Sequence, residues 1–333
     1  MIANERVTYI CFSWVFKRPS VIAAFLIVAL LSFPAVAFDV HLGTGETGTF
    51  SHFTGRTICR AVNRHADDIN CRPVSAAGDM HNLTNLQDGS LDIGLIDSRM
   101  LYDAVNNAGY FEFLDIRYDN LRALLPLYDV PVTLVVRKDA KITSLDALAG
   151  KRLNAGAPRS PEHLAFDTIM QAKNWSNKDF RLVAELPPSQ SQDTMAFCHG
   201  TIQAMVHIGV HPNALLEQLF RLCKAGMVNM NDGDIEKLIN GHSAYSRVKI
   251  APDTYPSQPE GVATFGTTMV LVASGDLDEE TVYKIIEAID KNRKRLKSAH
   301  PALLSFTTGA ARDNVVGVQL HPGAAKYFSE HNK

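Results

Sequence analysis

Short apolar runs alternate with amphipathic stretches along most of this chain, and that rhythm sets the first expectation. Phe38-Asp39-Val40-His41-Leu42 reads as a strand and Phe50 to His65 as a helix. Cys71 to Ser75 predicts a second strand. Asp79 to Asp88 predicts a helix with Asp79 as its N-cap, since a short acid there accepts the open backbone amides. Leu91 to Ile96 follows as a third strand, and a helix runs from Arg99 towards Asn107. This order implies a largely parallel sheet with helices on both faces.

The strong β run Val132 to Arg137, directly after Pro131, reads as a crossover, and the pattern then restarts. Strands are expected at Arg152 to Ala155, Arg181 to Leu186, Gln203 to Ile208 and Met227 to Met230. Helices are expected at Glu162 to Lys173, Gln192 to His199, Asn213 to Leu222 and near Ile235. Val262 to Ala273 is a long apolar return. Asp278 to Leu296 reads as one amphipathic helix with Val282, Ile285, Ile286 and Ile289 on a single face. Its acids come first and its bases (Lys291, Arg293, Lys294, Arg295, Lys297) last, the arrangement a helix dipole favours. Two α/β units joined by a crossover and a return leave a cleft between them. The expected division is residues 38–131 plus 264–333 for one lobe and 132–263 for the other, with Pro252 to Pro259 as an irregular hinge-side loop. Ligands of open α/β sheets sit beyond the carboxyl ends of the strands.

The N-terminus changes the picture. Lys17 and Arg18 precede the apolar stretch Val21 to Leu31, and Pro34 precedes the small-residue site Ala35-Val36-Ala37. Residues 1–37 therefore read as a secretory signal peptide cleaved before Phe38, which places the mature chain in an oxidising compartment outside the cytoplasm. The apolar run falls short of the ~20 residues a membrane span needs, and Cys11 lies ahead of it, where a lipid-anchor cysteine would not be. Losing Glu5, Arg6, Lys17 and Arg18 takes the net charge from −2 to about −4. Such a mildly acidic chain is a poor nucleic-acid binder.

Four cysteines remain in the mature chain: Cys59, Cys71, Cys198 and Cys223. Four cysteines allow three pairings. The local choice, Cys59–Cys71 with Cys198–Cys223, has a structural logic, because each pair would join a helix to a strand one or two elements later. Loops this short contribute about 3 kcal/mol each in the chain-entropy account. No Cys-x-x-Cys pair points to zinc.

Gly43, Gly45 and Gly48 have the G-x-G-x-x-G spacing between a strand and a helix. Such a turn presents backbone amides at a helix N-terminus, which suits a carboxylate or phosphate. A dinucleotide would also need an acid at the end of the second strand, and Val74-Ser75-Ala76-Ala77-Gly78 supplies none. No G-x-S-x-G or H-E-x-x-H motif is present. His207 and His211 are four apart, but they lie in a strand running into a Pro-containing turn, so helical spacing does not bring them together. Asn82-Leu83-Thr84 is a glycosylation sequon that decides nothing without a known host.

Taken in order, these motifs resemble the TRAP-associated extracytoplasmic immunogenic (TAXI) proteins, periplasmic solute receptors of tripartite transporters. Gly43-Thr44-Gly45 with Thr47-Gly48-Thr49-Phe50 is similar to the first ligand loop of that family. Ile58 to Asn63 with Cys71 resembles a cysteine-bearing branch. Ser75, Gly78 and Asn82 match the second loop, and Gly89 to Gly94 the third strand. Val135 to Asp139, Leu148 to Arg152, Phe197 to Ala204 with His211-Pro212-Asn213, and Leu320 to Ala324 continue the likeness, with Cys223 in register. The resemblance implies a type II periplasmic-binding-protein fold, in which two α/β lobes close on a ligand cleft by hinge motion.

It further implies a non-enzymatic, monomeric receptor without cofactor or metal, which delivers a small organic acid or amino acid to TRAP membrane subunits. A sensory subunit signalling through a membrane partner is the alternative. Thr44, Gly45, Thr47, Gly48, Thr49 and Phe50 are expected on one wall, with Ser75, Gly78, Asp79, Asn82 and Asp97. Arg159, Ser160, His163 and His207 are expected on the other. The departures from the family pattern cluster here. Ala76, Ala77 and Asp79 replace a Thr, a Gly and a Ser, and Asp97 and Arg99 stand where Gln and Asp are common. The Gly-Ser-Gly-x-Arg turn of the second domain has become Arg159-Ser160-Pro161-Glu162-His163, and His207 and Val210 replace a Tyr and a Gly. The expected result is an altered pocket, in which Asp79 and Asp97 disfavour a second ligand carboxylate or attract an ammonium and Arg159 grips a carboxylate.

Overall fold

Strand–helix alternation at the start of the mature chain builds a parallel edge. Strand β1 (Phe38–Thr44) leads to helix α1 (Phe50–His65), β2 (Ile69–Ser75) to α2 (Asp79–Gln87), and β3 (Ile93–Asp97) to α3 (Ser98–Val105). β1 lies between β2 and β3, parallel to both. Helix α1 forms because Thr49 caps it, its hydroxyl accepting the amide of His52, and because Ile58, Cys59 and Val62 fall on one buried face. The computed structural model describes residues 37–187, 191–305 and 314–331. The expected signal peptide lies outside them except for Ala37, and the chain divides at the Ala37–Phe38 bond.

The crossover is longer than its sequence pattern shows. β4 (Leu121–Arg137) continues through both Pro126 and Pro131. After it come β5 (Arg152–Asn154), α4 (Pro161–Lys173), β6 (Leu182–Ala184), α5 (Ser191–Cys198), β7 (Ala204–Ile208), α6 (Ala214–Leu222) and β8 (Ala225–Val228). Then follow α7 (Gly233–Gly241), β9 (Ser246–Ile250), β10 (Val262–Ser274), α8 (Glu279–Lys291), α9 (Arg293–Ala299), β11 (Asn314–Val315), β12 (Val318–Gln319) and α10 (Pro322–His331). The main strand order is β2-β1-β3-β10-β4-β7-β5-β6, with β8 also on β4 and β9 on β10. β9 has no counterpart in the sequence reading.

The sheet is mixed rather than largely parallel, because the two long strands run against their neighbours. β10 is antiparallel to β3, β4 and β9, and the far half of β4 is antiparallel to β7 and β8. β4 and β10 thus pass from one sheet region to the other. Gly266 lies where they meet, and a Cβ there would stand 2.5 Å from the Val130 carbonyl oxygen. Helices cover both faces. One core joins β1 and β3 to α1, α8 and α10 through residues such as Leu42, Ile58, Ile285 and Phe328, and another packs Leu83, Leu101 and Phe111 against Val270. The second region repeats this with Leu134, Phe166 and Val206 on one side and Val135, Phe197 and Leu219 on the other. Burying each such side chain contributes about 1.5–3 kcal/mol.

Two local expectations are corrected. Asp79 is not an N-cap: Gly78 occupies that position with φ 113°, and Asp79 is the first helical residue. Only glycine adopts that backbone freely, so the cap falls one residue earlier. The helix expected over Asp278 to Leu296 is two helices, parted at Asn292. The buried Asn292 side chain donates to the Ala288 carbonyl at 2.8 Å, competing for an acceptor of the last turn. Arg293, Lys294 and Arg295 therefore open a new helix instead of ending an old one.

The cysteines form the two local disulfides, Cys59–Cys71 and Cys198–Cys223, with Cα atoms 4.9 and 4.7 Å apart. The first ties α1 to β2. The second ties the end of α5 to Cys223, the C-cap of α6, two residues before β8 begins. Among the described residues, no helix is long and apolar enough to cross a membrane.

Candidate functional site

The carboxyl ends of β1, β2 and β3 lie side by side, and each passes into a helix N-terminus. Thr44 ends β1 fully buried, its hydroxyl donating to the Val74 carbonyl and meeting His52 Nδ1, both at 3.0 Å. Gly45 donates its amide to Ser51 Oγ at 3.1 Å. Thr47, Gly48 and Thr49 are exposed. Thr47 bonds across to Ser75 at 3.3 Å, which fastens the first loop to the second, and Ser75 also reaches the Gly45 carbonyl. Phe50 is half-buried, edge-on to Tyr128 at 4.8 Å and tilted against His300 at 4.5 Å. The Phe50 and Ser51 amides have no acceptor among the described residues.

Asp79 and Asp97 meet beneath this wall. Asp79 Oδ2 accepts the amide of Asp97 at 2.9 Å. Asp97 caps α3 through the Arg99 amide and accepts the Thr267 hydroxyl. No cation pairs with Asp79 among the described residues. Burial, and then the neighbouring Asp97 charge, push its carboxyl up to about 7. Burial also raises Asp97, against the pull of the Thr267 hydroxyl. The buried Tyr128 hydroxyl is raised in turn, chiefly by desolvation and next by Asp79. Asn82 is fully buried, and its side-chain amide donates to the carbonyls of Thr44 and Leu95 at 3.2 and 3.3 Å. It fastens β1 to β3, while its Oδ1 finds no partner.

The second set of loops leaves the carboxyl ends of β5 and β7, which are parallel neighbours. Ser160 caps α4 by accepting the His163 amide at 3.2 Å, and Pro161 takes the first helical position, where its missing amide costs nothing. The His163 ring lies 3.4 Å from the Gly156 carbonyl and 3.8 Å from Asp167. Arg159 is exposed and has a left-handed backbone, φ 66°. That conformation costs a non-glycine residue roughly 1 kcal/mol, and such strain gathers at functional sites. No acid pairs with Arg159 among the described residues, although its charge reaches Tyr110 from the other sheet region.

His207 is buried at the end of β7, with Nε2 unpartnered, and burial holds its imidazole down at about 4. His211 bonds Thr133 at 2.9 Å and Tyr255 at 2.7 Å, and burial followed by His207 lowers it to about 3. Both rings are neutral at neutral pH. Val210, between them, is buried in the core that contains Tyr128 and Ile58, so this loop packs directly against the first region.

Several participants were not read from the sequence. Arg99, noted there as a change near the pocket, is a strut: it pairs with Asp103 at 2.9 Å and donates to the Tyr245 hydroxyl, which also meets Thr168 on α4. Glu162 is buried at the start of α4, and desolvation raises its carboxyl against hydrogen bonds from Ser160 and the Ile208 amide. Its position in the first turn reads as ordinary dipole complementarity, so no local signal marks it as buried. Tyr128 and Thr267 reach the acid pair from the two long strands, which no local motif announces. Two small pockets lie away from these loops, one of about 10 Å³ among Leu134, Phe166 and Met205, the other of about 20 Å³ between α1 and α9.

Two sets of strand-end loops, one from each region of a mixed sheet threaded by two long strands, define a type II periplasmic-binding-protein fold. A TctC solute-binding protein from Polaromonas shares that fold, with a TM-score of 0.52 at 14% identity, over 78% of this chain and 85% of the other. The periplasmic sulfonate-binding protein SsuA of a putative sulfonate ABC transporter from Methylobacillus flagellatus KT aligns with a TM-score of 0.50 at 15% identity, over 78% of this chain and 69% of its own. The chain belongs to the NMT1-like family, whose pattern it matches over residues 42–331.

Proposed function

We propose that the protein is an exported solute receptor that captures a small carboxylate-bearing solute, best an amino acid, and hands it to a membrane transporter. One observation carries the ligand reading. The first strand-end edge holds an acid without a cation, Asp79, and the second holds a cation without an acid, Arg159. A zwitterion answers both: its ammonium neutralises Asp79, and its carboxylate takes the planar fork of Arg159. A dicarboxylate would satisfy only Arg159 and set a second anion near the acid pair. The neutral His207, whose buried Nε2 has no partner, would give one further hydrogen bond to a ligand that reaches it.

Family membership and fold support the receptor role, and the signal pattern with two disulfides supports the periplasm. The resemblance of the loops to TAXI receptors makes TRAP membrane subunits the proposed partners. Residues 38–131 with 264–333 and residues 132–263 are the proposed lobes, closing where β4 and β10 cross. Thermal unfolding of the oxidised chain from Phe38 onward, against amino acids, keto acids and dicarboxylates, tests the reading. A concentration-dependent rise with one amino acid is expected, because a ligand of the folded state alone must stabilise it. A rise with dicarboxylates and none with amino acids would sink the zwitterion reading.

A further inference from the structure

The outer face of α1 carries Arg56, Arg60 and Arg64, one turn apart and all exposed. Arg295 of α9 stands beside the last two. Arg60, Arg64 and Arg295 line a notch with Thr57 and Asn292, of about 20 Å³, enough for an oxygen atom of a carboxylate. Nearby acids are already taken, Asp290 by Arg293 at 3.4 Å and Glu287 by Lys291 at 2.9 Å. Arg56, Arg60, Lys294, Arg295 and Lys297 have no acidic partner among the described residues, and Arg64 meets Asn292 Oδ1 at 3.4 Å.

Three features set this face apart from a solvated helix end. The bases of α9 occupy its first turn, where the helix dipole disfavours cations. The notch is lined by guanidinium groups, whose fork matches a carboxylate, and not by ammonium groups. Phe53, on the same face of α1 and 38% exposed, adds the kind of aromatic that protein interfaces favour. A membrane offers a plane of phosphates, whereas a notch one oxygen deep between two helices suits a projecting side chain.

We infer that the α1–α9 face is a docking surface for a partner protein bearing an acidic segment, with one carboxylate seated among Arg60, Arg64 and Arg295. Arg60 lies roughly 15 Å along α1 from the first loop, so docking and ligand capture use different residues. The inference rests on the charge and shape of this face alone and stands apart from the zwitterion reading.

Fluorescence anisotropy of a labelled glutamate-rich peptide, titrated with the oxidised chain from Phe38 onward at low salt, tests it. The triple variant Arg60→Gln/Arg64→Gln/Arg295→Gln is expected to bind about tenfold more weakly or worse. A charge-matched triple elsewhere on the surface, Arg72→Gln/Arg117→Gln/Arg181→Gln, should lose less than about twofold. The notch variant should melt no lower than its parent, since it relieves repulsion between like charges. Equal losses in the two triples, no binding of the peptide, or preference for phosphatidylglycerol vesicles over the peptide would overturn the docking role. So would a lower melting temperature of the notch variant, which would make the cations part of the fold's own stability.

Discussion

The two strand-end edges are built from the same kind of unit, a strand passing through a short loop into a capped helix, yet they treat charge oppositely. At the first edge, polar groups are turned inward: Thr44, Gly45 and Asp97 make their bonds within the protein, and the half-buried Asp79 accepts the Asp97 amide. At the second, Arg159 is held outward on a strained backbone, and His207 keeps an unpartnered nitrogen. A frame that satisfies most of its own polar groups, with Asn82 Oδ1 and the Phe50 and Ser51 amides left over, sets shape. In the proposed reading, the acid left on one side and the cation on the other select the ligand.

The largest test of that contrast is pH. The Asp79 carboxyl is raised to about 7 in the folded chain, from 3.8. The folded state therefore keeps its proton over a range in which the unfolded chain has lost it, and stability falls as pH rises from about 4 to about 7. Asp79→Asn is expected to match the parent near pH 4 and exceed it by roughly 2–4 kcal/mol at pH 8. Urea unfolding at several pH values checks this; equal curves would mean that Asp79 is not desolvated.

Each region also has its own disulfide, and removing them one at a time compares the two. Cys59→Ala/Cys71→Ala should cost about 3 kcal/mol, and Cys198→Ala/Cys223→Ala slightly more, because the second closes the longer loop. Denaturant midpoints of the two double variants read the difference. A smaller effect comes from His207→Leu, which removes a buried unpartnered nitrogen and should raise stability by about 1 kcal/mol while weakening ligand-induced stabilisation. A gain in stability with undiminished binding would remove His207 from the pocket. The smallest change in stability is expected from Arg159→Gly, a gain of up to roughly 1 kcal/mol as left-handed strain is relieved, accompanied by loss of carboxylate binding in the same melting assay.

Most of the frame was legible because periodicity and caps are local. Phe50 to His65 and Val262 to Ala273 carry their patterns in consecutive residues, and the helices expected from Glu162 and Asn213 begin within one residue of those positions. What failed depended on contacts far apart in the chain. The break at Asn292 comes from a buried side chain turned back onto Ala288, and β9 gains its partner only when β10 returns beside it. The expected pocket residues fall at the strand ends, but whether each faces a ligand is not written in the motif. Thr44 fits the loop pattern, yet its hydroxyl is spent inside. Asp79 reads as a cap, while its actual partner is an amide eighteen residues away.

The most direct test is calorimetric affinity for the best-stabilising amino acid between pH 5.5 and 8.5, using oxidised chain from Phe38 onward. If the ligand ammonium seats on ionised Asp79, binding below about pH 7 must expel a proton. Affinity should then rise about tenfold per pH unit up to that point, level off above it, and lose its slope in Asp79→Asn. An affinity that is flat across the range, or that falls as pH rises, would contradict the pairing of Asp79 with a ligand cation.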